Sequence, residues 1–314
     1  MSPISGISAS LSSAGGVGGR STLLGGGASA LAGISTAAAR LARSNDEVSS
    51  GRAIHKPSDD VVGTDKALEL RRALAAEDRY SRSGSDATAW LGTTDGALQQ
   101  GIAVLQRVRA LTVQAGSDAN GATARAALAT EVRGLRDDVL SVANTTYLGR
   151  PVFGGTTGEP RAFTESGGVV TPATDTGSGS VVRGLAPGTS IRVDTSGAAA
   201  FGTGDDSVFA VLDRVATAMT AGSAESSAAL ADLDAALGRM TTALTDVGTR
   251  MSRVDSLRSR GEDRVLSLTS AKADVEEVDL AKSLMELSMH EKAYQAALGA
   301  AARTSTPTLL DFLR

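Results

Sequence analysis

A chain of 314 residues has room for two or three ordinary domains, and its 41% apolar residues can supply a core. With only 3% aromatics and one Trp, each buried side chain contributes little area, which suits thin helical layers. The net charge of -4 and pI near 5.4 argue against a nucleic-acid partner, and the absence of Cys rules out disulfide scaffolds and thiolate zinc sites.

Residues 1–29 are rich in Gly and Ser, with Arg20 as their one charge. Such a composition buries too little to offset chain entropy, and predicts a disordered N-terminal extension. No basic stretch followed by an apolar one opens the chain, so no cleaved signal peptide is expected, and no apolar run is long enough to predict a membrane span. From Leu31 the pattern changes. Leu31, Ile34, Ala38, Leu41 and Val48 fall at 3/4 spacing, a stripe one seam wide that predicts a helix over 30–48.

That helix stops at SSGRAIHKPSDD, residues 49–60. Ser50, Gly51, Arg52 and Pro57 read as a linker, with Ser58, Asp59 and Asp60 as capping side chains for the next helix. A long helix over about 64–117 and another over about 123–146 follow from apolar residues that keep the 3/4 period through several glycines. Residues 150–206 hold 12 glycines and short Val-containing runs, predicting a small β-rich domain or a set of hairpins. Helical pattern returns from 207 to about 302, with a break near Gly222. The expected fold class is mainly α: a long antiparallel bundle or coiled coil of N- and C-terminal arms, with a small β-rich domain inserted in the middle. Residues 30–48 and 276–314 would form terminal coiled-coil helices, and 49–149 with 207–275 a helical bundle.

In the last arm Leu280, Leu284, Leu287, Glu291, Tyr294, Leu298 and Ala301 alternate by four and three. A helix this thin on one face needs a partner, and residues 30–48 are the natural one. After Pro307 come Leu309, Leu310, Phe312 and Leu313, four large apolar side chains in the last six residues. Free termini are usually polar, so both ends predict burial by other subunits.

Candidate chemistry is thin. His290–Glu291 opens like the zinc-protease pattern H-E-x-x-H, but Tyr294 stands where the second ligand should be. His55 reads as solvated beside Lys56. Asp59–Asp60 and Glu276–Glu277 are adjacent pairs that do not face each other on a helix. The glycine runs fit neither a phosphate-binding loop nor a dinucleotide motif. Arg250, Arg253, Arg258, Arg260 and Arg264 alternate with Asp255, Glu262 and Asp263, predicting a salt-bridged helix face. No enzyme, cofactor or metal is expected.

Four stretches resemble the hook–filament junction family, that of hook-associated protein 3, within the flagellin superfamily. They are SSGRAIHKPSDD (49–60), LQRVRALTVQAG (105–116), ANTTYLGRPVFGG (143–155), and AYQAALGAAAR (293–303) with TLLDFLR (308–314). The first two are shared with flagellins, and the last two separate the junction family from them. The resemblance covers roughly 30–314, and residues 1–19 read as an extension or an upstream start. It implies a structural, self-assembling flagellar protein whose terminal helices form an inner coiled coil buried by neighbouring subunits. Implied partners are further copies in a ring, the other junction protein on the hook side, flagellin on the filament side, and an export chaperone. An extracellular flagellar location reached by type III export is implied as well. The alternatives are a filament flagellin and a surface enzyme built on a flagellin scaffold. The latter would need ligands within 150–206, which contains no His or Cys.

Overall fold

The structure, a computed structural model, describes residues 23–117, 119–156, 158–173 and 179–304. The helices are α1 (Leu23–Ser50), α2 (Val61–Ala115), α3 (Ala122–Ala143), α4 (Gly197–Phe201), α5 (Val208–Ala221), α6 (Ser223–Ala228), α7 (Leu230–Glu276) and α8 (Leu280–Thr304). Six short strands lie between α3 and α4: β1 (Thr146–Tyr147), β2 (Arg150–Pro151), β3 (Phe163–Ser166), β4 (Val169–Pro172), β5 (Val182–Ala186) and β6 (Thr189–Arg192). The fold is mainly α, with long terminal helices and small antiparallel strand pairs in the middle, as the sequence pattern predicts. Among the described residues no helix is long and apolar enough to cross a membrane.

Two differences from the sequence reading stand out. Helix α1 begins at Leu23, inside the stretch expected to be disordered. Once a helix is nucleated, each added residue gains a hydrogen bond, so a Gly-rich start can extend a helix it could not begin. The expected run from 207 to 302 also breaks at Ala229 and again at Glu277–Asp279, where the Asp279 carboxylate accepts the Ala281 and Lys282 N–H groups (2.9 and 3.2 Å) and starts α8.

The chain forms two compact units, one from residues up to Leu68 and from Ala271 onward, the other Glu69–Ser270. In the second, Trp90, Leu91, Leu98, Leu105 and Val108 of α2 are buried at helical spacing with Val132 and Val139 of α3, Leu212 and Val215 of α5, and Leu233 and Met240 of α7. Four of the five phenylalanines, Phe153, Phe163, Phe201 and Phe209, pack with ring centroids 5.0–6.0 Å apart.

The strands form three separate hairpins, β1–β2, β3–β4 and β5–β6, rather than one sheet. An isolated hairpin is marginal in water. Here each is anchored to the helical core, and Val152, Phe163, Val170, Leu185 and Ile191 belong to the same buried cluster as the helices. Arg136 of α3, nearly buried, donates to Asp213 of α5 (3.0 Å), to Glu165 of β3 (2.8 Å) and to the Gly168 carbonyl (3.1 Å). The β-rich segment expected as its own domain therefore shares a core with the helices.

The ANTTYLGRPVFGG stretch has a clear local logic. Asn144 caps α3 while its side chain pairs with the backbone of Phe163 in both directions (2.9 and 3.1 Å). The β1–β2 turn places Leu148 and Gly149 at φ +49° and +78°, the mirror-image turn that matches strand twist.

Candidate assembly interface

The terminal unit is built around the 49–60 linker. Gly51 ends α1 at φ +68°, a backbone region open to glycine, and its N–H returns to the Glu47 carbonyl (2.9 Å). The chain then crosses the break between α7 and α8. Ala53 N–H donates to the Glu276 carbonyl (2.8 Å), Val278 N–H donates to the Gly51 carbonyl (3.1 Å), and Arg52 bridges Glu277 in antiparallel register. Two chain reversals, 225 residues apart in sequence at Arg52 and Glu277, are thus clasped by backbone bonds.

The Asp59 and Asp60 carboxylates divide the linker between them. Asp59 accepts the His55 and Lys56 N–H groups (3.3 and 2.9 Å) and pairs with Arg43 of α1 (3.0 Å). The Lys56 N–H foremost, helped by His55 and Arg43, holds its carboxyl below the ordinary value. Asp60 caps α2, accepting the Gly63 N–H (2.9 Å). A Cβ on Gly63 would lie 2.4 Å from the Asp60 carboxylate and 2.7 Å from the Ile54 side chain, so a larger residue there would have to displace both side-chain ends. His55 is exposed, with Nε2 2.7 Å from the Ser50 hydroxyl. Arg52, Pro57 and Ser58 are exposed.

Helices α1 and α8 run antiparallel from this clasp. Ala32, Gly33, Thr36 and Ala37 share a groove with His290 and Ala293. On α1 the covered stripe is Ile34, Leu41 and Ser44. On α8 the covered residues include Ser283, Leu287, His290, Tyr294, Ala297 and Ala301, so Leu287, Tyr294 and Ala301 of the seam fall on the covered side. The seam's other leucines, Leu280, Leu284 and Leu298, stay exposed beside that stripe.

The consequence is an apolar flank open to water. Leu280, Leu284 and Leu298 are 54%, 53% and 43% exposed, and Leu31 of α1 is 69% exposed. Leu287 and Tyr294 are half-buried. Met285 and Met289 add an exposed apolar pair that the seam omits, as do Val61, Val62 and Leu68 at the start of α2. The i, i+4 spacing of the two methionines was the available signal. Leu309, Leu310, Phe312 and Leu313 lie outside the described residues.

No group of three or more His, Asp or Glu side chains that could hold a metal occurs among the described residues. In the arginine-rich part of α7, Arg250 pairs with Asp246 and Arg264 with Glu77 of α2 (3.1 Å). The expected partners Asp255, Glu262 and Asp263 are not the ones these two arginines use. Glu77 is buried and attracts Arg264 across to the neighbouring helix.

A helical N-terminal arm, a clasped polar linker and an unfinished apolar flank can be set beside known proteins. Residues 27–157 match the family described as the bacterial flagellin N-terminal helical region. The N-terminal part of the chain is thus similar to flagellins. Flagellar hook-associated protein 3 of Escherichia coli K12 is 29% identical to it over 84% of this chain and 90% of that protein. A flagellin of Bacillus subtilis 168 is 26% identical over 86% of this chain and 91% of its own length. The crystal structure of the flagellar junction protein FlgL from Legionella pneumophila, 15% identical, covers 68% of this chain and all of that one at a TM-score of 0.57, a shared fold. The resemblance to hook-associated protein 3 extends over most of the chain, and these relatives are structural flagellar proteins rather than enzymes.

Proposed function

We propose that this flagellin-like protein is the structural subunit joining hook to filament in a bacterial flagellum, assembling as a ring of copies through its terminal helices. The observation that carries the proposal is the flank of Leu280, Leu284 and Leu298, exposed in a single chain that is similar to hook-associated protein 3 over 84% of its length. A long helix with an open leucine face has an unused burial of about 1 kcal/mol per half-exposed leucine, repeated at every subunit. Leu31, Ile34, Leu41, Leu287 and Tyr294 would contribute to the same interface, and Leu309, Leu310, Phe312 and Leu313 would extend it. Ser50, Gly51, Arg52, Pro57, Ser58, Asp59 and Asp60 would act as the linker that sets where this interface begins.

The neighbours in this reading are the other junction protein on the hook side and flagellin on the filament side. A flagellar export chaperone would cover the apolar arms before assembly. The protein would leave the cell through the flagellar type III route, without a cleaved signal peptide, and lie outside it. A second reading, a filament flagellin, draws on the 26% identity to the Bacillus subtilis protein over most of the chain.

Electron microscopy of a deletion strain separates the two. The junction reading expects hooks without filaments and flagellin shed into the medium, with filaments restored by the wild-type protein. Long filaments built from this protein in a strain lacking its other flagellins would establish the second reading instead.

A further inference from the structure

The tip of the β1–β2 hairpin combines two unfavourable features in one residue. Leu148 sits at φ +49°, the left-handed region that Gly and Asn enter readily and Leu does not. Its side chain is 82% exposed, the most open of the large apolar side chains among the described residues. Asn-Gly is the preferred pair for such a two-residue turn and would relieve both. The stem below the tip is fixed. The Tyr147 hydroxyl donates to Asp86 of α2 (3.1 Å), and the Tyr147 ring meets Trp90 edge-on with centroids 5.5 Å apart. Backbone strain persists where its surroundings over-determine it, and it clusters at functional sites.

The same 69–270 unit holds a groove of about 360 Å³ among α2, α7 and β5. Leu74, Tyr80, Leu185, Leu257 and Val265 line it, and Gly261 leaves it open by lacking a side chain. Leu148 does not line this groove, so the chain's own tip does not fill it. Charge adds direction. Arg150 follows the turn, and Glu262 stands at the groove. Both are exposed and water satisfies each in the single chain, so their opposite signs orient an encounter rather than drive it.

We infer that the Leu148 tip of one copy seats in the α2–α7 groove of a second copy, with Arg150 beside Glu262. The inference rests on the self-assembly proposed above and adds a second contact to that of the terminal arms. Tip and groove are different surfaces of one compact unit, so the contact is head-to-tail. Every copy offers one of each, and the contact repeats from copy to copy in a ring or a helix. One seated side chain buries far less than the roughly 1,200 Å² of a self-standing interface. It therefore sets the register of neighbours that the arms bring together, and the unit's fold is complete without it.

The chain has no cysteine, so introduced cysteines report the contact directly. Full-length Leu148→Cys protein is mixed with Val265→Cys or Leu74→Cys protein, which mark the α7 and α2 walls of the groove, and each mixture is assembled and oxidised. Sedimentation reads assembly, and a non-reducing gel reads cross-linking. A mixed disulfide dimer is expected with at least one wall, well above that formed when Val113→Cys, exposed on the same unit outside tip and groove, replaces Leu148→Cys. Leu148→Asn should raise the monomer's melting temperature, because Asn accepts the left-handed turn, and should raise the concentration needed for assembly about tenfold. Leu148→Met, which keeps an apolar tip, should assemble as wild type does. Assembled protein without the mixed dimer, a dimer of Leu148→Cys with itself as the main product, or Leu148→Asn assembling at the wild-type concentration would overturn the inference. Cross-linking of the walls to Leu310→Cys in place of Leu148→Cys would give the groove to the C-terminal segment and overturn it too. Protein that stays monomeric throughout would instead overturn the self-assembly beneath it, and this contact with it.

Discussion

The two units use similar leucines for different ends. In the 69–270 unit, Leu91, Leu98, Leu105, Leu212 and Leu233 are fully buried, with Trp90 and four phenylalanines closing the core between helices and hairpins. In the terminal unit, Leu31, Leu280, Leu284 and Leu298 remain largely open to water. A core that closes on itself yields a stable fold, whereas a helix pair with an open flank leaves free energy to be gained on meeting another surface. The difference lies in the number of layers. Residues 69–270 contribute four substantial helices and three hairpins to one core, and the termini contribute a pair of helices clasped at one end.

If that contrast is right, the largest effects come from charging the open flank. Leu284→Asp or Leu298→Asp should abolish motility while leaving the monomer's melting temperature within a degree or two. A carboxylate costs little where it meets water and several kcal/mol where a neighbouring subunit would bury it. Motility assays paired with thermal melts check this, and wild-type swimming with either substitution would contradict it.

Substitution in the closed unit should do the reverse. Phe201→Ala removes a fully buried ring that packs against Phe153, Phe163 and Phe209, and is expected to destabilise that unit by about 3–5 kcal/mol. Denaturant unfolding followed by the fluorescence of Trp90, the single tryptophan, reads this unit selectively. A loss below about 1 kcal/mol would mean the ring cluster adds little beyond its hairpins.

Much of this contrast was legible in the sequence, and what was not has physical causes. The 3/4 spacing of Leu98, Leu105 and Val108 and of Leu280, Leu284 and Leu287 predicts helices in both units because helical period follows from backbone geometry alone. Spacing does not say which edge of a stripe meets a partner. On α8, Leu287 and Tyr294 are half-buried while Leu280, Leu284 and Leu298 are exposed, and the hydrophobic pattern does not separate the two sets. The break at Glu277–Asp279 was hidden because Glu, Val and Asp continue a helical composition, and its cause is long-range pairing with Gly51–Ala53. The linker's capping role was readable from Asp and Pro, because Asx caps act over three or four residues.

Smaller effects sharpen the role of the linker. Asp60→Ala removes the α2 cap and should cost about 1 kcal/mol, seen as faster amide exchange at Gly63 and its neighbours. Unchanged exchange there would assign the cap to another group. The smallest effect follows pH. The Asp59 carboxyl is held below its ordinary value of 3.8, so its contribution is present above that value and is lost as pH falls through the lowered one. The linker should therefore hold its structure at pH 5 and loosen only in more acidic solution. Carboxyl chemical shifts, with Asp59→Asn as reference, follow this directly, and loosening already complete near pH 5 would contradict it.

The central claim is that the terminal helices are completed by neighbouring subunits while the 69–270 unit is complete alone. Hydrogen–deuterium exchange on the monodisperse monomer and on the assembled protein tests it most directly. The expected result is strong protection over the α7 segment 230–270 in both states, with weak protection over 280–304 in the monomer rising at least about tenfold on assembly. Protection of α8 equal to that of α7 in the free monomer, unchanged by assembly, would contradict the account.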